Sequence, residues 1–427
     1  MEEIKVHINR LGRVYNSDLT IKPFMLFSGD SGLGKSYLAS LCHYFYRLLT
    51  SREIFDRFVH DMGWNYQELS QNYHDQGVAL TISKEILESW LSHDCVRYVG
   101  YLIGNENIEG AVDVILPSVF PDNLVINYRE ELIGLVGNEE MYMNLSLLGV
   151  SLRANFQPDF VESPFASLLR FGFAKTLYGG PTSISMTPVF PPSRGTLLTE
   201  EVTPITGIYA EYKRLQVALE RASVQPKQLN EGIKAMMQNI LEGNVTYREG
   251  RYYYEVPGIP EMPLSAAAAS ARELAPIARL ANRVDMATVA ILFEEPETHL
   301  HPAKQRMMAD VMGALLNAGA KLIITTHSNY FIARLNELIQ FYRLKKRGTV
   351  SDEQLKELRS KLKIEEGVEF DSEAMGVYML RLREDGLSEV VQQDLEDGVP
   401  YTAFLQATKD DIFNRDILTK AFEDVAE

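Results

Sequence analysis

The 427-residue sequence has little cysteine, no long apolar run and no excess of positive charge. Its two cysteines, Cys42 and Cys95, lack the spacing of a metal site, and their scarcity predicts a reducing compartment, the cytoplasm. No apolar run approaches the roughly 18 residues that a membrane span needs, and the first residues lack a signal-peptide pattern. We therefore expect no membrane partner.

The net charge of −16 argues against a protein built mainly to bind nucleic acid, because such proteins usually carry a basic face. One local basic cluster exists, but glutamates are interleaved with it, which is typical of a solvated helix. Nucleic acid is therefore an open but not a favoured partner. The cluster consists of Arg343, Lys345, Lys346, Arg347, Lys356, Arg359, Lys361 and Lys363.

A phosphate-binding loop is the strongest motif in the chain. Gly29–Ser36, "GDSGLGKS", fits G-x-x-x-x-G-K-[ST], follows the apolar run "FMLFS" and precedes a helical pattern. Glycines let successive backbone N–H groups point into one concavity, to which the helix adds its N-terminal dipole. Lys35 is expected to reach the phosphates of ATP, and Ser36 to bind Mg²⁺. The predicted nucleotide-binding residues are Gly29, Asp30, Ser31, Gly32, Leu33, Gly34, Lys35, Ser36 and Tyr37.

Two adjacent carboxylates end a second apolar run, in "ILFEEPETHLHP". Like charges there are costly unless a metal or a cation neutralises them. Beside a phosphate loop, Glu294 is expected to hold Mg²⁺ and Glu295 to take the proton of the attacking water. The next apolar run ends in "TTHS", which predicts His327 at the same edge, where it could sense the γ-phosphate. Lys35, Glu295 and His327 are the predicted catalytic residues.

These motifs together resemble the ABC/SMC-type ATPases of the OLD-like and RecF-like group. The resemblance extends to "VFPPSRGTL", which is similar to a Pro-x-x-Arg segment of that group, and to the tail "GVYMLRLREDGLSEVVQQDLEDGVPYTAFL". It implies that two heads sandwich ATP, with the phosphate loop of one facing a serine-rich signature of the other. In "PLSAAAASARELAPIARL", Ala268 and Ala269 stand where serines are expected. Either Ser265 or Ser270 substitutes for them, or hydrolysis is slow and ATP mainly holds an assembly together.

The fold class predicted from these patterns is α/β. We expect an ABC-type ATPase head with a P-loop core and parallel sheet, N-terminal antiparallel strands and a helical insertion, because continuous apolar runs indicate strands buried on both faces. The predicted divisions are an N-terminal ATPase lobe at 1–50, an insertion and helical region at 51–240, a lobe with signature, acidic strand and histidine at 241–340, and an α/β tail at 341–427.

The predicted function is an ATPase that assembles with ATP, as a dimer or a larger ring, and controls a separate effector protein. The resemblance implies a role of this kind in bacterial anti-phage defence, with a nuclease or toxin as the effector. Alternatives are a DNA-repair or chromosome-maintenance ATPase of RecF or SMC type, a transporter's ATPase subunit, and a scaffold that binds ATP without hydrolysing it.

Overall fold

The structure is a computed structural model. It describes residues 3–64, 77–135, 138–155, 164–178, 184–199, 203–221, 230–396, 398–400, 409–410 and 412–417. Parts of the predicted insertion and of the predicted tail, including 401–408 and 418–427, lie outside these ranges.

The described residues contain sixteen strands arranged in three sheets. The strands are β1 (Lys5–Leu11), β2 (Val14–Thr20), β3 (Phe24–Gly29), β4 (Val78–Ser83), β5 (Gly110–Ile115), β6 (Asn123–Leu135), β7 (Asn138–Leu147), β8 (Val150–Asn155), β9 (Val189–Phe190), β10 (Asn244–Arg248), β11 (Arg251–Glu255), β12 (Met262–Pro263), β13 (Ala290–Glu294), β14 (Lys321–Thr326), β15 (Met375–Leu382) and β16 (Ser388–Gln392).

Eleven α-helices cover the faces of these sheets within the described part of the chain. The helices are α1 (Lys35–Thr50), α2 (Arg52–Asp61), α3 (Lys84–Ile103), α4 (Pro164–Tyr178), α5 (Thr196–Thr199), α6 (Gly207–Arg221), α7 (Glu231–Leu241), α8 (Ala269–Arg283), α9 (Pro302–Asn317), α10 (Asn329–Arg347) and α11 (Asp352–Leu362).

A nine-stranded mixed sheet in the order β5-β1-β2-β16-β15-β3-β14-β13-β9 forms the centre of the molecule. Strands β15, β3, β14, β13 and β9 are parallel neighbours. Successive residues of β3 alternate between two cores: Met25 and Phe27 join the core that contains α1, whereas Phe24 and Leu26 join the core that contains α8 and α9. Burial on both faces explains why these strands read as continuous apolar runs.

The N-terminal side of the sheet is antiparallel, as predicted. Strand β1 pairs with β2 and β5 in antiparallel register, and β16 runs antiparallel to β15. Strand β16 meets β2 through Ser388 and Val14, which joins the antiparallel part to the parallel part. The α/β fold class, with its parallel core and N-terminal antiparallel strands, is therefore confirmed.

The region 51–240 is only partly helical, so the prediction of a helical insertion was incomplete. It contains helices α2, α3, α4, α5 and α6 and nearly all of α7, but also an antiparallel sheet in the order β4-β6-β7-β8. In β6, Leu124, Ile126 and Tyr128 are buried while Val125 is exposed, which is the period of two that marks a strand. Strands β5 and β9 of the same region belong to the central sheet.

Gly313 of helix α9 lies against the backbone of Val368. A Cβ atom added at Gly313 would lie 1.9 Å from the carbonyl oxygen of Val368, whereas one added at Gly232 in α7 would meet nothing within 4 Å. We expect Gly313→Ala to reduce the free energy of unfolding by about 1–3 kcal/mol, because the backbone must shift to relieve the clash. The control Gly232→Ala should leave stability unchanged or raise it slightly. Urea denaturation measures both; equal effects would contradict this packing.

Candidate functional site

The loop between β3 and α1 has the conformation that the glycine motif predicts. Gly29, Gly32 and Gly34 have positive φ angles of 125°, 76° and 103°, values that side chains with a Cβ rarely adopt. A Cβ at Gly29 would also lie 2.4 Å from the carbonyl oxygen of Leu380 in β15. Helix α1 begins at Lys35, directly after the loop, so its N-terminus faces the same concavity.

Lys35 is a buried cation at the start of α1, with 6% of its surface exposed. Its Nζ donates hydrogen bonds to the carbonyl oxygens of Gly29 at 2.9 Å and Asp30 at 2.7 Å. Burial lowers the pKa of Lys35 to about 8, although the nearby carboxylates of Glu295 and Asp30 act in the opposite direction. A phosphate group would favour the charged form of this amine.

The acidic strand β13 ends in the same cleft. Its parallel register places Glu294 opposite Thr325 of β14, and the amide of Glu295 donates to the carbonyl oxygen of Thr325 at 3.0 Å. Glu295 has a φ of 45°, a conformation that residues with a Cβ adopt at a cost of about 1 kcal/mol or more. This turn directs the chain away from the strand immediately after Glu294, so the two carboxylates lie in different environments.

Glu294 is buried and has the properties of a metal ligand. Burial raises the pKa of Glu294, while a hydrogen bond with the Ser36 hydroxyl acts to lower it. Its Oε1 atom has no hydrogen-bond partner among the described residues. The described ranges contain no group of three or more His, Cys, Asp or Glu side chains able to hold a metal by themselves. Ser36 and Glu294 therefore fit a Mg²⁺ ion that takes its remaining oxygens from phosphate and water.

Glu295 and His327 form a second, more exposed pair. His327 Nε2 lies 3.5 Å from Glu295 Oε1, and their side chains are 33% and 39% exposed. Burial and the Lys35 charge lower the pKa of His327, which favours the neutral imidazole, although the Glu295 carboxylate acts in the opposite direction. A solvent-accessible carboxylate beside a neutral imidazole can receive a proton from water in the cleft.

Glu297 shapes the end of β14, a role that the sequence analysis missed. Its Oε1 accepts hydrogen bonds from Thr326 Oγ1 at 2.6 Å and from the amides of His327 at 2.9 Å and Ser328 at 3.1 Å. Burial raises the pKa of Glu297, and these hydrogen bonds act to lower it. The carboxylate thus fixes the backbone that carries His327. In the sequence, this role is marked only by a third glutamate two positions after the adjacent pair Glu294 and Glu295.

Arg194, from the segment "PPSR", joins the acidic strand to helix α8. Its fully buried guanidinium donates to the backbone carbonyl oxygens of Glu273 at 2.9 Å, Glu294 at 3.1 Å and Pro191 at 3.2 Å. The guanidinium also lies over the ring of Phe293, 4.5 Å from its centroid. Arg194 therefore fixes the main chain at Glu294 to that of helix α8.

Most of the predicted site residues meet in one cleft of about 410 Å³. Gly29 and Asp30 do not line it, although their carbonyl oxygens hold Lys35, and Leu33 belongs to the core. Ser270 does not line it either. The predicted residues that line the cleft are Ser31, Gly32, Gly34, Lys35, Ser36, Tyr37, Glu294, Glu295 and His327.

Four further residues line this cleft without having been predicted: Gly12, Arg13, Pro192 and Thr325. Gly12 and Arg13 form the turn between β1 and β2, and the Tyr37 ring packs so closely on Gly12 that a Cβ there would lie 2.3 Å from it. Arg13 adds a cation at the mouth of the cleft. No local motif marks this turn, so only the folded sheet brings it to the phosphate loop.

Five of the eight residues of the basic cluster lie within 4 Å of carboxylates of the same chain. Lys346 pairs with Glu373 at 2.8 Å, Lys361 with Glu357 at 2.6 Å, and Arg359 with Glu369. Lys345 and Arg343 also lie within 4 Å of glutamates. These pairs reduce the field that the cluster offers to phosphates.

Comparison with known proteins gives one family match. Residues 272–332 match the model of the AAA ATPase domain family, a segment that contains β13, α9 and β14 but not the phosphate loop. No curated protein matches the chain. Within the described residues, no helix has both the length and the apolar character needed to cross a membrane.

Similar solved structures include three SMC head domains. One is an SMC head bound to the C-winged helix domain of ScpA (12% identity, TM-score 0.35, 92% of this chain and 98% of that chain covered). The second is the SMC head domain from Thermotoga maritima (9% identity, TM-score 0.34, 92% of this chain and 100% of that chain covered). The third is an SMC head with an extended coiled coil bound to the C-terminal domain of ScpA derived from Pyrococcus furiosus (10% identity, TM-score 0.36, 96% of this chain and 100% of that chain covered). The fold class stated above rests on the strand order of the chain itself.

The burial of Lys35 predicts a stability cost at neutral pH. Below pH 8 the Lys35 amine is charged in both the folded and the unfolded state, so folding must remove a charged group from water. Between pH 8 and about 10.5 the unfolded chain binds more protons than the folded protein, so the free energy of unfolding rises with pH. We expect Lys35→Met to raise the free energy of unfolding by about 1–3 kcal/mol at pH 7, with a smaller gain at pH 9.5. Urea denaturation at both pH values measures this. A destabilised variant at pH 7 would contradict it, and Arg13→Met is the exposed control.

Proposed function

We propose that this chain binds Mg·ATP in the cleft between the phosphate loop and the acidic strand and hydrolyses it. The observation that carries the proposal is the position of the buried, unpartnered Glu294 Oε1 beside the Ser36 hydroxyl, at the first turn of the helix that the phosphate loop opens. The match of residues 272–332 to an AAA ATPase domain supports the same activity.

Five side chains of the cleft and the amides of the phosphate loop have distinct parts in the proposed reaction. The amides of the phosphate loop and Lys35 bind the phosphates, and Lys35 leaves the carbonyl oxygens of Gly29 and Asp30 to do so. Ser36 and Glu294 would hold Mg²⁺, which neutralises phosphate charge when bound. Water attacks the γ-phosphorus while Glu295 accepts the proton of that water. The bond from the γ-phosphorus to the β–γ bridging oxygen breaks, and the products are ADP, which keeps that oxygen, and inorganic phosphate. His327, whose Nε2 lies 3.5 Å from Glu295 Oε1, would also contact the γ-phosphate.

The proposed active unit contains more than one subunit. Ser270 lies in the first turn of α8, half-buried and outside the cleft of its own chain. A hydroxyl and a helix N-terminus there suit the γ-phosphate bound to a second copy. We therefore propose an ATP-dependent dimer or larger ring in which Ser270 completes the site of its neighbour.

We further propose that the chain controls a separate effector protein, acts in anti-phage defence and is located in the cytoplasm. The family resemblance of the sequence supports these three points. The DNA-maintenance alternative is less favoured because the basic cluster is paired with the chain's own carboxylates. DNA-stimulated ATP turnover that falls steeply with salt would restore that alternative.

The Lys35→Met variant also tests nucleotide binding. At an ATP concentration a hundredfold above Kd, the wild type should gain about 2.7 kcal/mol of stability from Mg·ATP. The variant should gain none, because the loop loses the cation that neutralises the phosphates. Thermal denaturation with and without Mg·ATP measures the gain. A melting temperature that still rises with ATP would show that the nucleotide binds elsewhere.

The Glu295→Gln variant separates binding from hydrolysis. Its carboxamide cannot take a proton from water, so ATP should bind as in the wild type while the turnover rate falls by about 10²-fold or more. Calorimetric titration gives the affinity, and phosphate release gives the rate. Glu366→Gln, on an exposed loop, is the control. Wild-type turnover in Glu295→Gln would assign the base to another residue.

Mixing two inactive variants tests the composite site. Lys35→Met removes a subunit's own phosphate loop, and Ser270→Arg blocks the surface that it offers to a neighbour. If Ser270 acts across the interface, an equal mixture should recover ATPase activity that neither variant shows alone, because each mixed pair contains one intact site. A mixture with no more activity than its components, or full activity in Ser270→Arg alone, would refute the composite site.

A further inference from the structure

The short segment that carries His327 depends on one side chain for its backbone hydrogen bonds. Strand β14 ends at Thr326 and helix α10 begins at Asn329, so the amides of His327 and Ser328 lie between two elements. Both donate to the Oε1 atom of Glu297, at 2.9 and 3.1 Å, and the Thr326 hydroxyl donates to the same atom at 2.6 Å. Because a buried amide without an acceptor is costly, this oxygen determines the path of the chain at His327.

Only one of the two carboxylate oxygens of Glu297 makes these contacts. The side chain is 7% exposed, and its Oε2 atom has no hydrogen-bond partner among the residues that the structure describes. A carboxamide with its oxygen at the place of Oε1 could accept the same three hydrogen bonds. A side chain shorter by one methylene could not bring an oxygen to all three donors.

The turn that contains Glu297 also holds the proposed base. This turn connects β13 to α9, and Glu295 and His299 in it have left-handed φ angles of 45° and 61°. Thr298 Oγ1 donates to Glu295 Oε2 at 3.4 Å, and His327 Nε2 lies 3.5 Å from Glu295 Oε1. The spacing of Glu295 and His327 therefore depends on how this turn is joined to the end of β14.

A second set of hydrogen bonds joins the same two segments through helix α9. Ser328 Oγ donates to Gln305 Oε1 at 2.5 Å, and Gln305 Nε2 donates to the carbonyl oxygen of Leu300 at 2.8 Å. These contacts do not involve Glu297. A small change at Glu297 should therefore displace His327 locally while the surrounding fold is retained.

We propose that Glu297 is a positioning residue for ATP hydrolysis, which sets the place of the His327 imidazole beside Glu295 through a single oxygen atom. Glu297 is not part of the cleft wall, whereas His327 and Glu295 are, so its effect must pass through them. A displacement of about 1 Å in a catalytic group can slow a reaction by about 10²-fold. The effect on the rate rests on the proposed function, whereas the effect on the position of His327 does not.

Two variants separate the position of this oxygen from its charge, which also acts on Lys35. Glu297→Gln keeps the acceptor and removes the charge, and its kcat should stay within about threefold of the wild type. Glu297→Asp keeps the charge and withdraws the oxygen, so kcat should fall by about tenfold or more while KM changes by less than about twofold. Phosphate release over a range of ATP concentrations gives both constants. A Glu297→Gln variant that is slower than Glu297→Asp, or slower than about a tenth of the wild type, would overturn the proposal.

Glu369→Asp is the matched control, because Glu369 is also buried, accepts a hydrogen bond from Arg359 and lies outside the cleft wall. Its kcat should equal that of the wild type even if its melting temperature falls. A double-mutant cycle then shows whether Glu297 acts through His327. In a His327→Gln background, Glu297→Asp should reduce kcat by less than about a further twofold. An undiminished tenfold loss in that background would assign Glu297 a role independent of His327.

The position of His327 can also be measured without nucleotide. The chain has eight histidines, and the loss of one imidazole NMR signal in His327→Gln identifies that of His327. Glu297→Asp should shift this signal and leave those of the other histidines in place, and Glu297→Gln should shift it less. An unmoved His327 signal in Glu297→Asp would overturn the proposal. A shifted signal in a protein whose wild type releases no phosphate from ATP would refute the proposed function and leave the placement of His327 by Glu297 standing.

Discussion

Burial of charge at the carboxyl edge of the central sheet is the constraint on which this structure depends. Lys35, Glu294, Glu297 and Arg194 are all at most 7% exposed, and they come from four different segments of the chain. An isolated buried charge would be strongly destabilising, so each is held by carbonyl oxygens, amides, hydroxyls or an opposite charge. Three of them still keep one polar atom without a hydrogen-bond partner among the described residues: Glu294 Oε1, Glu297 Oε2 and Arg194 Nη2. The buried carboxylate of Glu294 therefore lowers the stability of the fold locally, and a bound cation would remove that cost.

The buried groups also make the cleft rigid. Arg194 fixes the main chain of Glu294 to that of Glu273 in α8, and Glu297 fixes the residues around His327. The same helix α8 carries Ser270 at its start. A displacement of α8 would therefore be transmitted to the acidic strand through a packed, hydrogen-bonded contact. In the proposed account, this contact links assembly through Ser270 to nucleotide binding at Glu294.

Local spacing made much of the site predictable. The glycine pattern specifies its own loop, and the carboxyl ends of adjacent parallel strands meet at one edge, which brings Glu294 and His327 to Lys35. Contacts between distant segments were not predictable in this way. Arg194 lies 100 residues from Glu294, and Arg13 reaches the cleft through a hairpin turn. The β4-β6-β7-β8 sheet within 51–240 was not predicted, because it depends on pairings between distant segments, such as Val78 of β4 with Tyr128 of β6.

The most direct test of the central claim is an experimental structure of Glu295→Gln with Mg²⁺ and ATP. The account predicts phosphates along the phosphate loop, Lys35 Nζ on a phosphate oxygen rather than on the carbonyl oxygens of Gly29 and Asp30, and the metal on Ser36 with Glu294 in its ligand sphere or one water away. A nucleotide bound elsewhere, or one bound here with Lys35 still on the loop carbonyls and Glu294 remote from the metal, would contradict it.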